Sequence, residues 1–288
     1  MKRFVRKHFP VGVQSWLRRA YYRYPLLRRL YYLPQDAAQR LRRRGGSITP
    51  PRSLISVGDG DFAAIGGEFL GYFKDLAGLQ PDEKVLEIGC GVGRMAIPLT
   101  TYLSDQGEYV GFDIVRPEIR WCQKRITPRF PNFHFHYIDI HNEQTNRRGR
   151  QQAGSCRFPF TDGRFDFVFL TSVFTHMLLE DIGNYLLEIS RVLKPNGRML
   201  ATCFLLDPPA RERLKKMNSR FRHVHGDSLA IDPRLPEASI AHEEAAIRNL
   251  FKKSGLAIQD PVRYGNWNGR ENFLSSQDII VARKNESE

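Results

Sequence analysis

No run of apolar residues in this 288-residue chain approaches the length needed to cross a bilayer. The four cysteines, Cys90, Cys122, Cys156 and Cys203, are scattered without C-x-x-C spacing. The first absence argues against a spanning helix, and the second against a zinc site or a disulfide framework, so no metal is expected. The N-terminus also lacks the continuous apolar stretch and small-residue cleavage site of a secretory signal, and a cytoplasmic location is the expectation. Acid is missing where base is densest. Residues 1–52 hold 14 of the 44 Lys and Arg but only Asp36 of the 31 acids, a balance of 14 − 1 = +13, which is the whole net charge. Residues 53–288 balance at 30 against 30. A basic stripe across a cleft would speak for nucleic acid, whereas a neutral domain behind a basic arm speaks for tethering.

The arm is patterned. Val13, Trp16, Leu17, Ala20, Tyr21 and Tyr24 recur on one helical face, with Arg18, Arg19 and Arg23 away from it. Pro25 interrupts, Leu26, Leu27, Leu30 and Tyr31 restart an apolar stripe before Pro34, and Arg40 to Arg44 add a cationic cluster. Such a segment, 13–44, suits the surface of an anionic membrane and would make the protein peripheral there. The same pattern serves an arm packed on its own domain or on a partner subunit, and an Arg-rich, acid-poor start is also compatible with a mitochondrial presequence. Gly45 to Pro51 reads as a connector. We therefore divide the chain into a basic amphipathic helical arm and linker, 1–52, and one main domain, 53–288, whose 41% hydrophobic content can bury a sizeable core.

The most informative run is Val85-Leu86-Glu87-Ile88-Gly89-Cys90-Gly91-Val92-Gly93-Arg94: an apolar strand, an acid and three alternate glycines, followed by a helix-like stretch from Met95 to Leu103. Closely spaced glycines at a strand-to-helix turn bring a ligand against bare backbone. A dinucleotide turn would need G-x-G-x-x-G, so G-x-G-x-G disfavours NAD. Glu87 asks for a positive or hydrogen-donating ligand group, which a sulfonium amino acid offers.

These residues resemble the first motif of the class I S-adenosylmethionine-dependent methyltransferases. The resemblance continues in order. Tyr109 to Ile114 looks like the second strand with its acid Asp113, Phe133 to Ile140 like the third with Asp139, Phe158 to Val168 like the P-F-x-D-x-x-F-D segment before the fourth, and Ile189 to Leu200 like the R-x-L-K-P-G-G turn into the fifth, with Asn196 in place of the first glycine. Asn tolerates positive φ. Apolar strands alternating with helical stretches give an α/β doubly wound sheet, with strands near 84–88, 108–113, 133–138, 165–170, 197–205, 256–263 and 277–283. The last two are joined by a Gly/Asn-rich loop too short for a crossover helix and should pair antiparallel. The fold expected is thus a seven-stranded, mostly parallel Rossmann-like sheet with an antiparallel last strand.

The resemblance implies S-adenosyl-L-methionine as cofactor, held by Glu87 at the methionine end, by the backbone of Gly89, Cys90, Gly91 and Gly93, by Asp113 and Ile114 at the ribose, by Asp139 and Ile140 at the adenine, and by Thr171. A carboxylate offers two acceptor oxygens to the ribose hydroxyls, although strand-end acids also serve as turns and caps. Asp59 and Asp61 are explained by capping a first helix. Because ligands bind beyond the carboxyl ends of parallel strands, the acceptor pocket is expected from the loops after Thr171, from the insertion 206–241 as a cap, and from Tyr264 to Arg270. Ser172, Trp267 and Arg270 are the substrate-contact candidates, with hairpin packing an alternative for Trp267. His176 is the candidate general base; it would equally cap a helix or line the cofactor. His223, His225 and His242 read as a solvated loop, as does the insertion 142–156, a second candidate lid.

Thr171-Ser172-Val173-Phe174 differs from the Asn/Asp-Pro-Pro-aromatic run of amino-methylating nucleic-acid enzymes, and neither a Pro-Cys nucleophile nor paired glutamates of the arginine-methylating group is present. Nucleic acid is disfavoured. The acceptor expected is an oxygen, nitrogen or carbon atom of a small metabolite, a lipid or quinone headgroup, or a carrier-linked saccharide; the alternative is a cofactor-binding scaffold module without turnover.

Overall fold

The computed structural model describes residues 25–42, 48–55, 60–217 and 219–285. The arm's first apolar face, Val13 to Tyr24, and Arg43, Arg44 and Asp59 lie outside them. Seven strands form the main sheet: β1 (Lys84–Ile88), β2 (Glu108–Asp113), β3 (Phe133–Tyr137), β4 (Phe165–Leu170), β5 (Leu193–Cys203), β10 (Leu256–Ile258) and β11 (Asp278–Lys284), in the order β10-β11-β5-β4-β1-β2-β3. Pairing is parallel from β3 to β5, and β11 runs antiparallel to both β5 and β10. This is the sheet expected from the strand order, except that β5 starts at Leu193 rather than 197 and ends at Cys203 rather than 205, and β10 stops at Ile258 rather than 263.

Alternation along each strand divides the core in two. Leu86, Ile88, Val110, Phe112, Val168 and Leu170 face one layer, closed by α5 (Leu179–Val192) through Ile182, Leu186 and Ile189. Val85, Tyr109, Phe133, Phe167 and Phe169 face the other, closed by α2 (Phe62–Asp75) and α4 (Arg116–Arg125). Phe73 of α2 lies 4.2 Å from Phe169 and 5.6 Å from Phe167, ring centre to ring centre. Each such fully buried ring contributes about 1.5–3 kcal/mol. Asp61 caps α2, accepting from the amides of Ala63 and Ala64 at 2.9 Å, as expected; Asn196 takes the expected positive φ, 62°, but does so within β5, which begins at Leu193. The helix after the glycine turn, α3, is confined to Ala96–Leu99.

The stripe that restarts after Pro25 continues through Pro34 as one helix. α1 runs from Pro25 to Arg42 with Pro34 inside it. Asp36 on α1 accepts from the amides of Arg52 (2.7 Å) and Ser53 (3.4 Å) in a 3-10 turn at Arg52–Leu54. No described helix is long and apolar enough to cross a membrane.

The segment after β5 is more ordered than a solvated loop. β6 (Leu205–Leu206), β7 (His223–Val224), β8 (Ser228–Ala230) and β9 (Ile240–Glu243) make a second sheet in the order β6-β9-β8-β7, with α6 (Pro208–Lys216) between β6 and β7 and α7 (Glu244–Lys253) leading back to β10. His242 is fully buried in β9. Its Nδ1 accepts from Ser228 Oγ at 2.7 Å and its Nε2 donates to the Met177 carbonyl at 3.1 Å, so the ring staples this sheet to the segment after β4. That contact corrects the solvated-loop reading for His242, while His225 is exposed in a loop as expected; among the described residues no cluster suited to a metal ion occurs.

Burial pushes the His242 ring down from 6.5 to about 4. The unfolded chain therefore binds the proton first as pH falls, so the stability tied to the neutral ring is complete above 6.5 and lost as pH falls through 4. We expect His242→Gln, which cannot titrate, to flatten the dependence of the urea midpoint between those values, removing on the order of 3 kcal/mol of pH-dependent stability. An unchanged slope would show that His242 is not the group responsible.

Candidate functional site

At the carboxyl ends of β1, β2 and β4 lies a cleft of about 760 Å³. Its floor is the glycine turn. Gly89, Gly91 and Gly93 all take positive φ, 75°, 51° and 77°, which side chains resist. The turn is held from β2: the amides of Gly89 and Cys90 donate to the Phe112 carbonyl at 2.9 and 3.0 Å, and the Gly91 amide donates to Asp113 Oδ2 at 2.7 Å. Val115 N donates to the other Asp113 oxygen at 2.8 Å. Burial raises the Asp113 carboxyl, and the backbone amides oppose that shift. Each oxygen retains a lone pair for a ligand hydroxyl.

Glu87, one residue before the end of β1, lies beneath the cleft, 2% exposed. Tyr109 donates its hydroxyl to Glu87 Oε2. Burial pushes the Glu87 carboxyl up to about 8, against the lowering effect of that hydrogen bond, with Asp113 adding repulsion. A carboxyl so raised favours its protonated form, and a cationic ligand group beside it would favour the ionised one.

Above the floor, Thr171, Ser172, Val173 and His176 follow β4 and line the cleft. Ser172 takes φ 59°, an uncommon conformation for a residue with a side chain. A ring of hydrogen bonds imposes it: Ser172 N donates to Thr202 Oγ1 (2.7 Å), Thr202 Oγ1 to Gln277 Oε1 (2.6 Å), and Gln277 Nε2 to Ser172 Oγ (2.8 Å). His176 closes a 3-10 turn, Phe174–His176, rather than opening a helix. Its Nδ1 lies 2.9 Å from the Glu237 carbonyl. A carbonyl only accepts, so Nδ1 carries the hydrogen and Nε2 is the basic nitrogen of the neutral ring.

The cleft also has a wall from the second sheet and the last hairpin. Phe204, Phe221 and Trp267 pack with ring centres 5.0–5.2 Å apart. Trp267 Nε1 donates to Asp278 Oδ2 at 2.8 Å, and the fully buried Asp278 also accepts from Leu205 N and Gly265 N, both at 2.6 Å. Burial pushes Asp278 up to about 6.

Of the residues named from sequence, Glu87, Gly89, Cys90, Gly91, Asp113, Ile114, Ile140, Thr171, Ser172, His176 and Trp267 line this one cleft. Three do not. Gly93 is turned to packing, where a Cβ would come within 2.8 Å of Ile126 Cδ1. Asp139 is held by Tyr137 Oη (2.6 Å) and Asn146 Nδ2 (3.3 Å), and Ile140, His141 and Asn142 form the lining there instead. Arg270 directs its guanidinium to Asp207 at 2.7 Å and stacks over Tyr264, ring centre 4.3 Å away. Sequence reading also missed lining residues. Glu118 of α4, 2% exposed, brings a carboxylate oxygen to within 3.1 Å of where a Cβ on Gly91 would stand. Asn142, Gln144, Thr145 and Ala153 line the cleft from an insertion read as a solvated loop, with Asn142 Oδ1 accepting from Gln144 N and Thr145 N at 3.0 Å.

Residues 86–201 match the family model described as a methyltransferase domain. The chain is 30% identical, over 42% of its own length and 45% of the other, to a demethylmenaquinone methyltransferase of Lactiplantibacillus plantarum. It is 26% identical, over 64% of its length and 45% of the other, to a tRNA N(3)-cytidine methyltransferase of Gallus gallus. It thus spans about half the length of these curated relatives. A solved protein of Pyrococcus horikoshii superposes with TM-score 0.53 at 17% identity, over 79% of this chain and 92% of that one, a likeness of fold.

The glycine floor makes a sharp prediction. A methyl group on Gly89 would stand 2.5 Å from Val173 Cγ2, on a backbone already at positive φ. Gly89→Ala should lower stability by about 1–3 kcal/mol, and adding Val173→Ala should restore part of that loss. Thermal unfolding of the two variants decides it: equal losses in both would mean that the contact with Val173 is not what constrains this position.

Proposed function

We propose, for a chain that carries a class I S-adenosylmethionine-dependent methyltransferase domain, that the cleft transfers the cofactor's methyl group to an oxygen, nitrogen or carbon atom of a small acceptor lying against the Phe204–Trp267 wall. The observation that carries the reading is the pairing, in one cleft, of a bare-backbone glycine floor with two buried strand-end carboxylates, Glu87 and Asp113. These fit the cofactor's amino group and ribose diol. Ile114 and Ile140 supply apolar sides for the adenine, and in this reading Asp139 acts only through its hold on Tyr137 and Asn146.

The bound cofactor supplies a methyl group on a sulfonium, and in-line transfer asks chiefly for alignment. Ser172 and Thr171 would position the acceptor, the aromatic wall would exclude water and stack on a planar group, and His176 Nε2 would take a proton where the acceptor must lose one. Segment 206–241 serves as the cap, contributing Arg220, Phe221, Glu237 and Ser239 to the lining. One relative is named for a demethylmenaquinone and one for a tRNA cytidine. The neutral balance of residues 53–288 favours the small-molecule side, since a nucleic-acid cleft needs a basic track. The cationic arm, 1–52, would bring the enzyme to an anionic membrane surface.

Titration calorimetry tests this reading. S-adenosylmethionine should bind and NAD should not. Because a ligand ammonium favours the ionised form of Glu87, binding below pH 8 should release a proton, seen as a buffer-dependent heat, and affinity should rise with pH up to about 8. Glu87→Gln should abolish that buffer dependence and weaken binding roughly 10- to 100-fold, the range of a lost charged hydrogen bond. Binding of NAD alone, or of neither compound, would end the methyl-transfer reading.

A further inference from the structure

α1 is packed inside out. Two of its charged residues, Arg28 and Asp36, are 9% and 7% exposed, whereas Leu26, Leu30 and Leu33, spaced i, i+4 and i+7 on one face, are 72%, 66% and 58% exposed, with Leu27 at 60% and Tyr31 at 52% beside them. The seam to the rest of the protein is polar, made by the Asp36 carboxylate on the amides of Arg52 and Ser53. Among the described residues nothing covers the leucine face, and a contiguous apolar patch of this kind marks an interaction surface.

Charge indicates the occupant. Asp36 is the only acid of residues 1–52 and it is turned inward, so the leucine face belongs to a segment carrying 14 basic residues. Residues 53–288 of a second copy are balanced in charge and give the arm no net attraction, and two such arms would repel. We infer that α1 lies with its leucine face in the headgroup region of an anionic phospholipid bilayer, the surrounding Lys and Arg each contributing about 1 kcal/mol near that surface.

This seating is linked to the cleft. α1 docks on the turn Arg52–Leu54, and the next residue, Ile55, lines the cleft together with Phe62, Ile65 and Phe69 of α2. An apolar wall of the cleft thus adjoins the segment that carries the membrane face, and the acceptor class that suits it is an amphiphile whose hydrocarbon part stays in the bilayer. The acceptor class rests on the methyl-transfer reading; the seating of α1 does not.

The test is sedimentation of the full chain with phosphatidylcholine vesicles and with phosphatidylcholine–phosphatidylglycerol vesicles at low and high salt, beside the variant Leu26→Ser/Leu30→Ser/Leu33→Ser. The full chain should pellet with the anionic vesicles only, less at high salt, and the triple variant roughly tenfold less or weaker still. Titration of S-adenosylmethionine in solution should be the same for both chains, which shows that the variant is folded; should it not fold, Leu30→Ser alone should still reduce partitioning measurably. No pelleting of the full chain, pelleting unchanged by the serines, or a dimer of the full chain that the serines dissociate would each overturn the seating. Vesicle binding without cofactor binding would instead overturn the methyl-transfer reading and leave the seating intact.

Discussion

The site depends on one contact between two strand ends, the hydrogen bond from the Gly91 amide to Asp113. β1 and β2 are parallel neighbours, in register from Lys84 with Glu108 to Ile88 with Phe112, so the glycine turn that leaves β1 necessarily meets the end of β2. There the Phe112 carbonyl accepts two amides of the turn and the Asp113 carboxylate a third. That arrangement fixes a backbone of positive φ that has little local preference to hold it, and places a carboxylate at its rim. The cofactor contacts proposed here, from Glu87 at one end to Ile140 at the other, take their spacing from it.

A second buried acid organises the acceptor side. Asp278, at the start of β11, accepts from Leu205, Gly265 and Trp267, tying the main sheet, the second sheet and the last hairpin to one carboxylate. Asp207, which caps α6 through the Ala210 amide at 2.7 Å, also receives Arg270. The aromatic wall is thus held by polar contacts beneath it and presents rings, not charges, to the cleft. Such a division suits recognition by shape and stacking.

Much of the main sheet was legible because its strands are long apolar runs ended by an acid or a glycine, and the order of such runs specifies a doubly wound topology. The second sheet was not. β6 and β7 are two residues each, too short for a period-two pattern, and they pair only because β9 and β8 lie between them. Within the site, residue type and position identified Glu87 and Asp113, while direction stayed hidden. Asp139 and Arg270 are engaged elsewhere, Asp139 by Tyr137 at the end of β3 and by Asn146, Arg270 by Asp207, 63 residues away. Glu118 stands in a strongly charged helix, Arg116–Arg125, whose sequence suggests exposure, yet α4 turns it toward Gly91. In α1 the sequence left membrane seating and packing both open for the leucine stripe; the structure exposes Leu26, Leu30 and Leu33 and buries Asp36 against two backbone amides.

Every role proposed for the site requires that this cleft hold the methyl donor along the glycine turn. A crystal structure of the full chain grown with S-adenosylhomocysteine tests it most directly. The ribose hydroxyls should sit on Asp113, the amino group at Glu87, and the sulfur facing Thr171 and Ser172. Ligand bound elsewhere, or a cleft that stays empty at saturating ligand, would contradict it.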